Sequence, residues 1–443
     1  MAENSKLRWL SSNRFLTALQ YRDYRILWSA NLFAGAAAWA LIVARGWLVY
    51  DMSESSLYVG LVTFLAMIPR VIMPPISGYF ADKYDRCKVM SIIFGISVTH
   101  TLFFAILLLL TEISMWQVMV LAFIDGSAKS AQQPVGGALV PNLVPKDKLI
   151  NAVALGQATI HGSRLIGPLA IWLLLDQNGS TTGIGLAFFL CSIFYSISLF
   201  QTLRINTSSS GSINSKESFF NNFTKALPYI YKHPQLRLIM MMAFFHCGFT
   251  MSFESVLPVI SVERFDASKG SDFSLIMMAV GAGSLICIIL LSSITKEMTQ
   301  GHWYLYLGFT SGLAPILLAF SPNLSIALLS AILMGAAQAG YMTLTHTMMQ
   351  IVTEDSVRGR VGAMYNVHIG FIMATMNLAN GALASSLILQ IDLPGVLFTS
   401  LRSLLAADTL LAGGGIFFIL IVIISWGLKT LRTIYKTGLP LNI

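Results

Sequence analysis

"GYFADKYDRCK", residues 78–88, packs five charged side chains (Asp82, Lys83, Asp85, Arg86 and Lys88) into seven positions. On either side the chain runs apolar for roughly twenty residues, the length that crosses a bilayer's hydrocarbon core as a helix. Read this way, the charged knot is a short loop at a membrane surface, and the rest of the chain repeats the pattern. Of 443 residues, 55% are hydrophobic and 11% charged, and the mean hydropathy is +0.71. Soluble domains carry about 25% charged residues, so this chain cannot cover a water-facing surface.

Apolar runs at 26–50, 57–81, 89–110, 115–137, 150–175, 183–203, 238–260, 273–295, 303–320, 324–350, 362–390 and 410–428 predict twelve membrane-spanning helices. They are too long and too uniformly apolar for β-barrel strands, which need about ten residues of alternating polarity. Basic residues fix the expected orientation. With the N-terminus inside, the inner segments carry 21 Lys and Arg and the outer loops carry Arg264, Lys269 and Arg402. The expected location is the cell's inner or plasma membrane, with both termini cytoplasmic. The net charge of +8 then reflects topology and lipid headgroups, and no basic soluble region is available to bind nucleic acid. The first 25 residues hold five basic residues and no apolar stretch, so the first span is expected to stay as an anchor. Cys87, Cys191, Cys247 and Cys287 lack metal-ligand spacing and read as small apolar fillers.

The spans divide six and six. An N-terminal bundle over 1–203 and a C-terminal bundle over 238–443 flank a polar segment, 204–237. That segment opens on "NTSSSGSINS", a flexible linker composition, and its 216–232 part patterns as an interfacial amphipathic helix. A weak internal repeat relates "VPKDKLINAVAL" from Val144 to "VTEDSVRGRVGA" from Val352, each just before the fifth span of its half. It supports two parallel six-helix units.

The 78–88 loop resembles the signature loop of the major facilitator superfamily: a glycine, an aspartate four residues later, then a short basic run. "YRDYRILWSANLF" (21–33), "GWLVYDMSESS" (46–56), "VPKDKLINAVAL" and "RGRVGAMYN" (358–366) resemble the enterobactin-exporter and macrolide-efflux branch. "GSRLIGP" (162–168) is similar to the glycine-proline motif of the fifth span in facilitator antiporters. The loop departs from the pattern at Asp85 and Cys87, and the C-terminal half has no counterpart loop. The resemblance implies a gate in which Gly78 permits close helix approach and Asp82 and Arg86 switch partners. Arg358 and Arg360 at the eleventh span are the expected partners. Gly167 and Pro168, with Gly162, are expected to let span 5 approach its neighbour in the other half.

Six charges fall inside spans: Arg45, Arg70, Asp125, Lys129, Arg164 and Glu254. Mid-bilayer charge costs at least about 2.5–3.5 kcal/mol, so such groups face a cavity or a partner. The resemblance implies that spans 1, 4, 7 and 10 line a central cavity, which makes Arg45, Asp125, Lys129 and Glu254 candidates for substrate contact. Asp125 and Lys129, at i and i+4, share a helix face, either as a self-neutralising pair or as a site. Arg164 is positioned to pair with Asp125, and Arg70 is a structural tie or a functional group. Asp125 and Glu254, the two acids, are the candidate proton carriers. Among the span histidines, His246 stands eight residues from Glu254 and is the relay candidate. Asn31, Gln132, Gln157, Gln338, Asn366 and Asn377 either bind substrate or tie helices together.

No phosphate loop, zinc motif or nucleophile elbow occurs, so neither an enzyme nor ATP-driven transport is expected, and no cofactor or metal. The expectation is a monomeric, proton-coupled exporter of a small amphipathic molecule, siderophore-like or an acidic metabolite, working by alternating access among membrane lipids. A broad drug or macrolide exporter and an importer of the same fold stay open, as does a non-transporting sensor or scaffold.

Overall fold

The computed structural model describes residues 17–177, 181–209, 226–265, 270–291, 297–354, 357–385 and 406–438. No strand occurs among them. The helices of the first half are α1 (Arg22–Ser53), α2 (Ser56–Met67), α3 (Pro69–Lys83), α4 (Arg86–Leu110), α5 (Met115–Leu139), α6 (Leu149–Gln177) and α7 (Thr181–Leu203). Those of the second are α8 (Ala226–Lys232), α9 (Pro234–Phe249), α10 (Leu257–Phe265), α11 (Gly270–Leu291), α12 (Glu297–Ala319), α13 (Leu324–Val352), α14 (Arg358–Leu383), α15 (Ala407–Gly427) and α16 (Lys429–Thr437). Eight units are long and apolar enough to cross a membrane: α1, α2 with α3, α4, α6, α7, α11, α13 and α15. The other four expected spans fall on α5, on α9 with α10, on α12 and on α14.

Local signals set the helix ends. Glu54 closes α1 in the left-handed region at φ 47°, its N–H donating to the Tyr50 carbonyl. Asp85 caps α4 by accepting from the Lys88 N–H at 3.1 Å, and Asn323 caps α13 by accepting from Ile326 at 3.0 Å. Ser114 and Gln117 open α5 with a reciprocal capping box.

In the first half α1 packs against α6 and α7, α4 against α5 and α7, and α5 against α2 and α3. In the second, α13 packs against α11 and α12, and α12 against α15. Small residues let these helices touch by backbone, as expected where lipid supplies no hydrophobic drive. Gly126 of α5 lies on Ala66 of α2, and Gly335 of α13 on Val280 of α11.

Two seams join the groups, α6 against α11 and α14 against α2 and α3. The second seam is antiparallel: Gly381 meets Gly60, and Gly370 meets Arg70 eleven residues deeper. The start of α14 therefore lies at the same end as Lys83, which is the end carrying the charged loops. At the opposite end the seam is tight, because a Cβ on Gly60 would stand 2.8 Å from the Asn377 carbonyl oxygen. Toward the charged end it loosens, and a Cβ on Gly78 would meet nothing within 4 Å. The amphipathic helix expected over 216–232 lies outside the described residues except for the part in α8.

Candidate functional site

The buried charges begin with an ion pair. Arg45 of α1 and Asp125 of α5 meet at 2.8 Å, Nη1 to Oδ2, with side chains only 9% and 6% exposed. Gly126, next to Asp125 in sequence, packs against the Ala66 backbone of α2. Such a pair is neutral as a unit, and breaking it strands a charge in low dielectric. This geometry overturns the expected pairing of Asp125 with Arg164. It also leaves Lys129 outside the pair.

Both free cations turn to one ring. The Lys129 ammonium lies 5.3 Å from the centre of Trp39 on α1, and the Arg164 guanidinium lies 4.8 Å from the same ring. Arg164 also stands 6.0 Å from Phe253. Cation–π attraction favours these positions without neutralising charge. Arg164 reaches the Ser284 hydroxyl only at 3.5 Å, and its buried Nε has no partner.

Glu254 sits where the expected span 238–260 is broken. α9 ends at Phe249 and α10 starts at Leu257, so the chain between them is not helical. Non-helical backbone at membrane depth must find other hydrogen bonds. Gln338 of α13 donates to the Thr250 carbonyl at 2.6 Å, and Asn380 of α14 donates to the Ser252 carbonyl at 2.8 Å. Asn377 accepts from the Ser255 N–H at 3.1 Å. Gln338 and Asn377 thus serve as ties, and Gln132 likewise donates to Asn31 at 3.3 Å.

The break presents the Glu254 side chain toward the N-terminal half. Together with Arg45 and Thr63 it lines a small cavity of about 10 Å³, roughly room for one water. Its carboxylate acts electrostatically on Arg70, Lys129 and Arg164. Among the described residues, no side chain or backbone group hydrogen-bonds or ion-pairs with Arg70, Lys129 or Glu254. Asp125 acts on Lys129 as Glu254 does, and the cluster holds three cations outside the Arg45–Asp125 pair and one carboxylate outside it.

The break also separates His246 from Glu254, so their eight-residue spacing is not helical. His246 is fully buried in the C-terminal half, its Nε2 2.7 Å from the Ser311 hydroxyl. Its ring packs 4.5 Å from Tyr341 and 5.0 Å from Phe418.

The gate residues are arranged as follows. Asp82, 60% exposed, pairs at 3.6 Å with Arg86 in its own loop and not with Arg358 or Arg360 at the start of α14. Arg86 donates to the Ala138 carbonyl at 3.0 Å and to the Ser209 hydroxyl at 3.1 Å. Asp85 accepts from the Ser209 N–H at 3.0 Å and the Ser208 hydroxyl at 3.1 Å. Partial burial pushes the Asp85 carboxyl up, but the hydrogen bonds from Ser209, Lys88 and Ser208 hold its pKa below the ordinary value. Asp23 holds Thr207 in the same way, by its N–H at 2.9 Å and by its hydroxyl. The first linker residues, 206–209, therefore strap the loop to the N-terminal half.

At the other seam, Gly167 packs on Ala36 and Ala40 of α1, inside its own half, and Gly162 meets nothing. The small residue that brings the halves together is on α11: a Cβ on Gly281 would lie 2.6 Å from the Arg164 carbonyl. Pro168 contributes by its carbonyl, which accepts from Ser274 at 3.0 Å.

Two groups of long apolar helices meeting on paired seams around buried charges define a polytopic transporter of the major facilitator type. The chain belongs to the transmembrane secretion effector family of that superfamily, whose model matches residues 14–425. It is 22% identical to the staphyloferrin A transporter of Staphylococcus aureus, over 79% of this chain and 86% of that protein. It is 24% identical to the multidrug efflux pump Tap of Mycolicibacterium fortuitum, over 83% and 92%. Among solved structures, an inward-facing bacterial homologue of the human lysosomal transporter Spinster superposes with a TM-score of 0.69 at 13% identity, over 94% of this chain and 98% of that one.

Proposed function

We propose that this transporter is a proton-coupled exporter of a small amphipathic molecule carrying an anionic group, siderophore-like or an acidic metabolite. The carrying observation is the charge count of the central cluster. With Arg45 and Asp125 neutralising each other, Arg70, Lys129 and Arg164 stand with Glu254, and none of the four has an ion-pair partner among the described residues. An anionic group of the substrate supplies the missing counter-charge. Glu254 carries the proton, being the one acid of the cluster outside an ion pair. The 1–203 and 238–443 bundles rock against each other, with the termini cytoplasmic and the chain monomeric in the cell membrane.

A second reading, a broad drug exporter, is favoured by the efflux pump among the relatives. Proteoliposomes with an imposed pH gradient separate the two. Anionic siderophores are expected to be moved and cationic dyes not, while transport of cationic dyes alone sinks the anionic reading. Glu254→Gln is expected to uncouple flux from the gradient. If Glu254→Gln and Asp125→Asn both keep full gradient-driven transport, proton carriage by these acids is wrong.

A further inference from the structure

The C-terminal helix α16 is sharply two-faced. Leu431, Ile434 and Tyr435 are buried, whereas Lys429, Arg432 and Lys436 are exposed. The buried face is anchored: Gly301 of α12 lies directly on the Ile434 carbonyl, and the Tyr435 hydroxyl sits 2.7 Å from that of Ser425. The chain turns at Leu428, which is extended at φ −78°, ψ 119°, so α16 does not continue α15. Trp426, 40% exposed, stands at that turn with the Lys436 ammonium 6.0 Å from its ring centre. Amphipathic tryptophan and lysine at a helix end are the residues that settle at the headgroup level.

Directly beside α16 is an apolar groove of about 190 Å³. Leu238, Met241 and Phe245 of α9 form one wall, and Ile421, Ile424 and Leu431 form the other. Met241 and Ile424 are 43% and 67% exposed, so the groove opens outward from the bundle. Basic residues adjoin the groove in sequence: Lys429 and Arg432 each follow a groove-lining leucine, Leu428 and Leu431, and Arg237, whose guanidinium donates to the Tyr231 carbonyl at 3.4 Å, precedes Leu238.

An apolar trough whose lining residues are flanked in sequence by exposed basic residues matches one kind of occupant, a long-chain molecule with an anionic head. We propose that this groove and α16 form a binding site for an anionic phospholipid, with an acyl chain between α9 and α15 and its phosphate among Lys429, Arg432 and Arg237. The site is separate from the central charge cluster and is independent of the substrate proposed there. It ties α9, which leads into the broken span carrying Glu254, to α15 and α16 through the lipid.

The test is native mass spectrometry of the full-length protein in detergent, with equimolar dioleoyl phosphatidylglycerol and phosphatidylcholine. Basic residues near an anionic surface each favour it by about fivefold, so retention of phosphatidylglycerol is expected to exceed that of phosphatidylcholine by tenfold or more. Arg237→Gln/Lys429→Gln/Arg432→Gln leaves the packed face of α16 untouched and is expected to bring the ratio near one. Ile424→Trp, which fills the groove, is expected to lower retention of both lipids in a protein whose melting temperature without added lipid is unchanged. Equal retention of the two lipids by the wild type overturns the proposal. So does a preference that survives the triple variant, or equal protection by chain-free glycerol phosphate.

Discussion

Replacing Gly60 by alanine is expected to open the end of the molecule that is closed in this structure. The added Cβ would stand 2.8 Å from the Asn377 carbonyl oxygen and 3.1 Å from the Gly381 Cα. Both obstacles are backbone, so the methyl cannot be accommodated by turning a flexible side chain. Overpacking of this kind costs about 1–3 kcal/mol. The cost falls on the conformation in which α2 and α14 touch and is relieved when they part. A shift of 1–2 kcal/mol changes a two-state population by about 5- to 30-fold. The readout is a cysteine at Thr63, which is buried just beneath the seam and lines the cavity beside Arg45 and Glu254. The four native cysteines are buried, so the background is low. Thr63→Cys should react with a membrane-impermeant maleimide from the far side at least severalfold faster in Gly60→Ala. Gly78→Ala is the control, because its Cβ meets nothing within 4 Å in this state. Unchanged labelling in Gly60→Ala, or an equal increase in Gly78→Ala, refutes the assignment of the closed seam.

Two more outcomes follow from the same geometry. Arg45→Leu or Asp125→Leu alone strands a buried charge at an expected cost of about 3–5 kcal/mol, whereas the double variant is expected to melt closer to the wild type, and additive losses in detergent melting curves contradict the pairing. Asp85 has a folded pKa below its unfolded value, so its contribution is present above about pH 4 and is lost as pH falls through the folded pKa. The gap in melting temperature between wild type and Asp85→Asn, which reflects about 1 kcal/mol of cap and strap hydrogen bonds, should hold at pH 7 and close in stronger acid. A gap that persists undiminished at pH 3 argues against the strap.

The helical membrane fold was legible because the bilayer imposes length and apolarity on each span separately, and both are properties of a local window. The buried charges were legible for the same reason: any ionisable residue within such a window is conspicuous. Their pairing was not. Arg45 and Asp125 are eighty residues apart, and which helix Asp125 faces depends on how α5 packs against α1, α2 and α3, which no local window shows. Trp39 was passed over because one more aromatic in an apolar helix carries no signal until two cations are seen against it. The break after Phe249 was hidden as well, since Thr250–Val256 contains no glycine and no proline. It exists because Gln338, Asn377 and Asn380 take over its backbone hydrogen bonds, a condition set by two distant helices.

The charged loop acquires a different meaning once its contacts are known. α2 and α3 follow one another with Gly60 near one end and Gly78 near the other, and only Gly60 is packed against α14. Here Gly60 is engaged and Gly78 is free, so Arg86 and Asp85 turn inward to their own half and to residues 206–209 of the linker. If α2 and α3 tilt to bring Gly78 against α14, Asp82 comes toward Arg358 and Arg360 while the Gly60–Gly381 contact opens. Asp82 is already exposed and holds Arg86 only loosely at 3.6 Å, so little is lost when it changes partner. Arg86 is different, since its bonds to Ala138 and Ser209 lie within its own half and its linker. The contacts inside the loop are therefore asymmetric: Asp82 is exposed and, among the described residues, reaches only Arg86, whereas Arg86 also holds Ala138 and the linker residue Ser209.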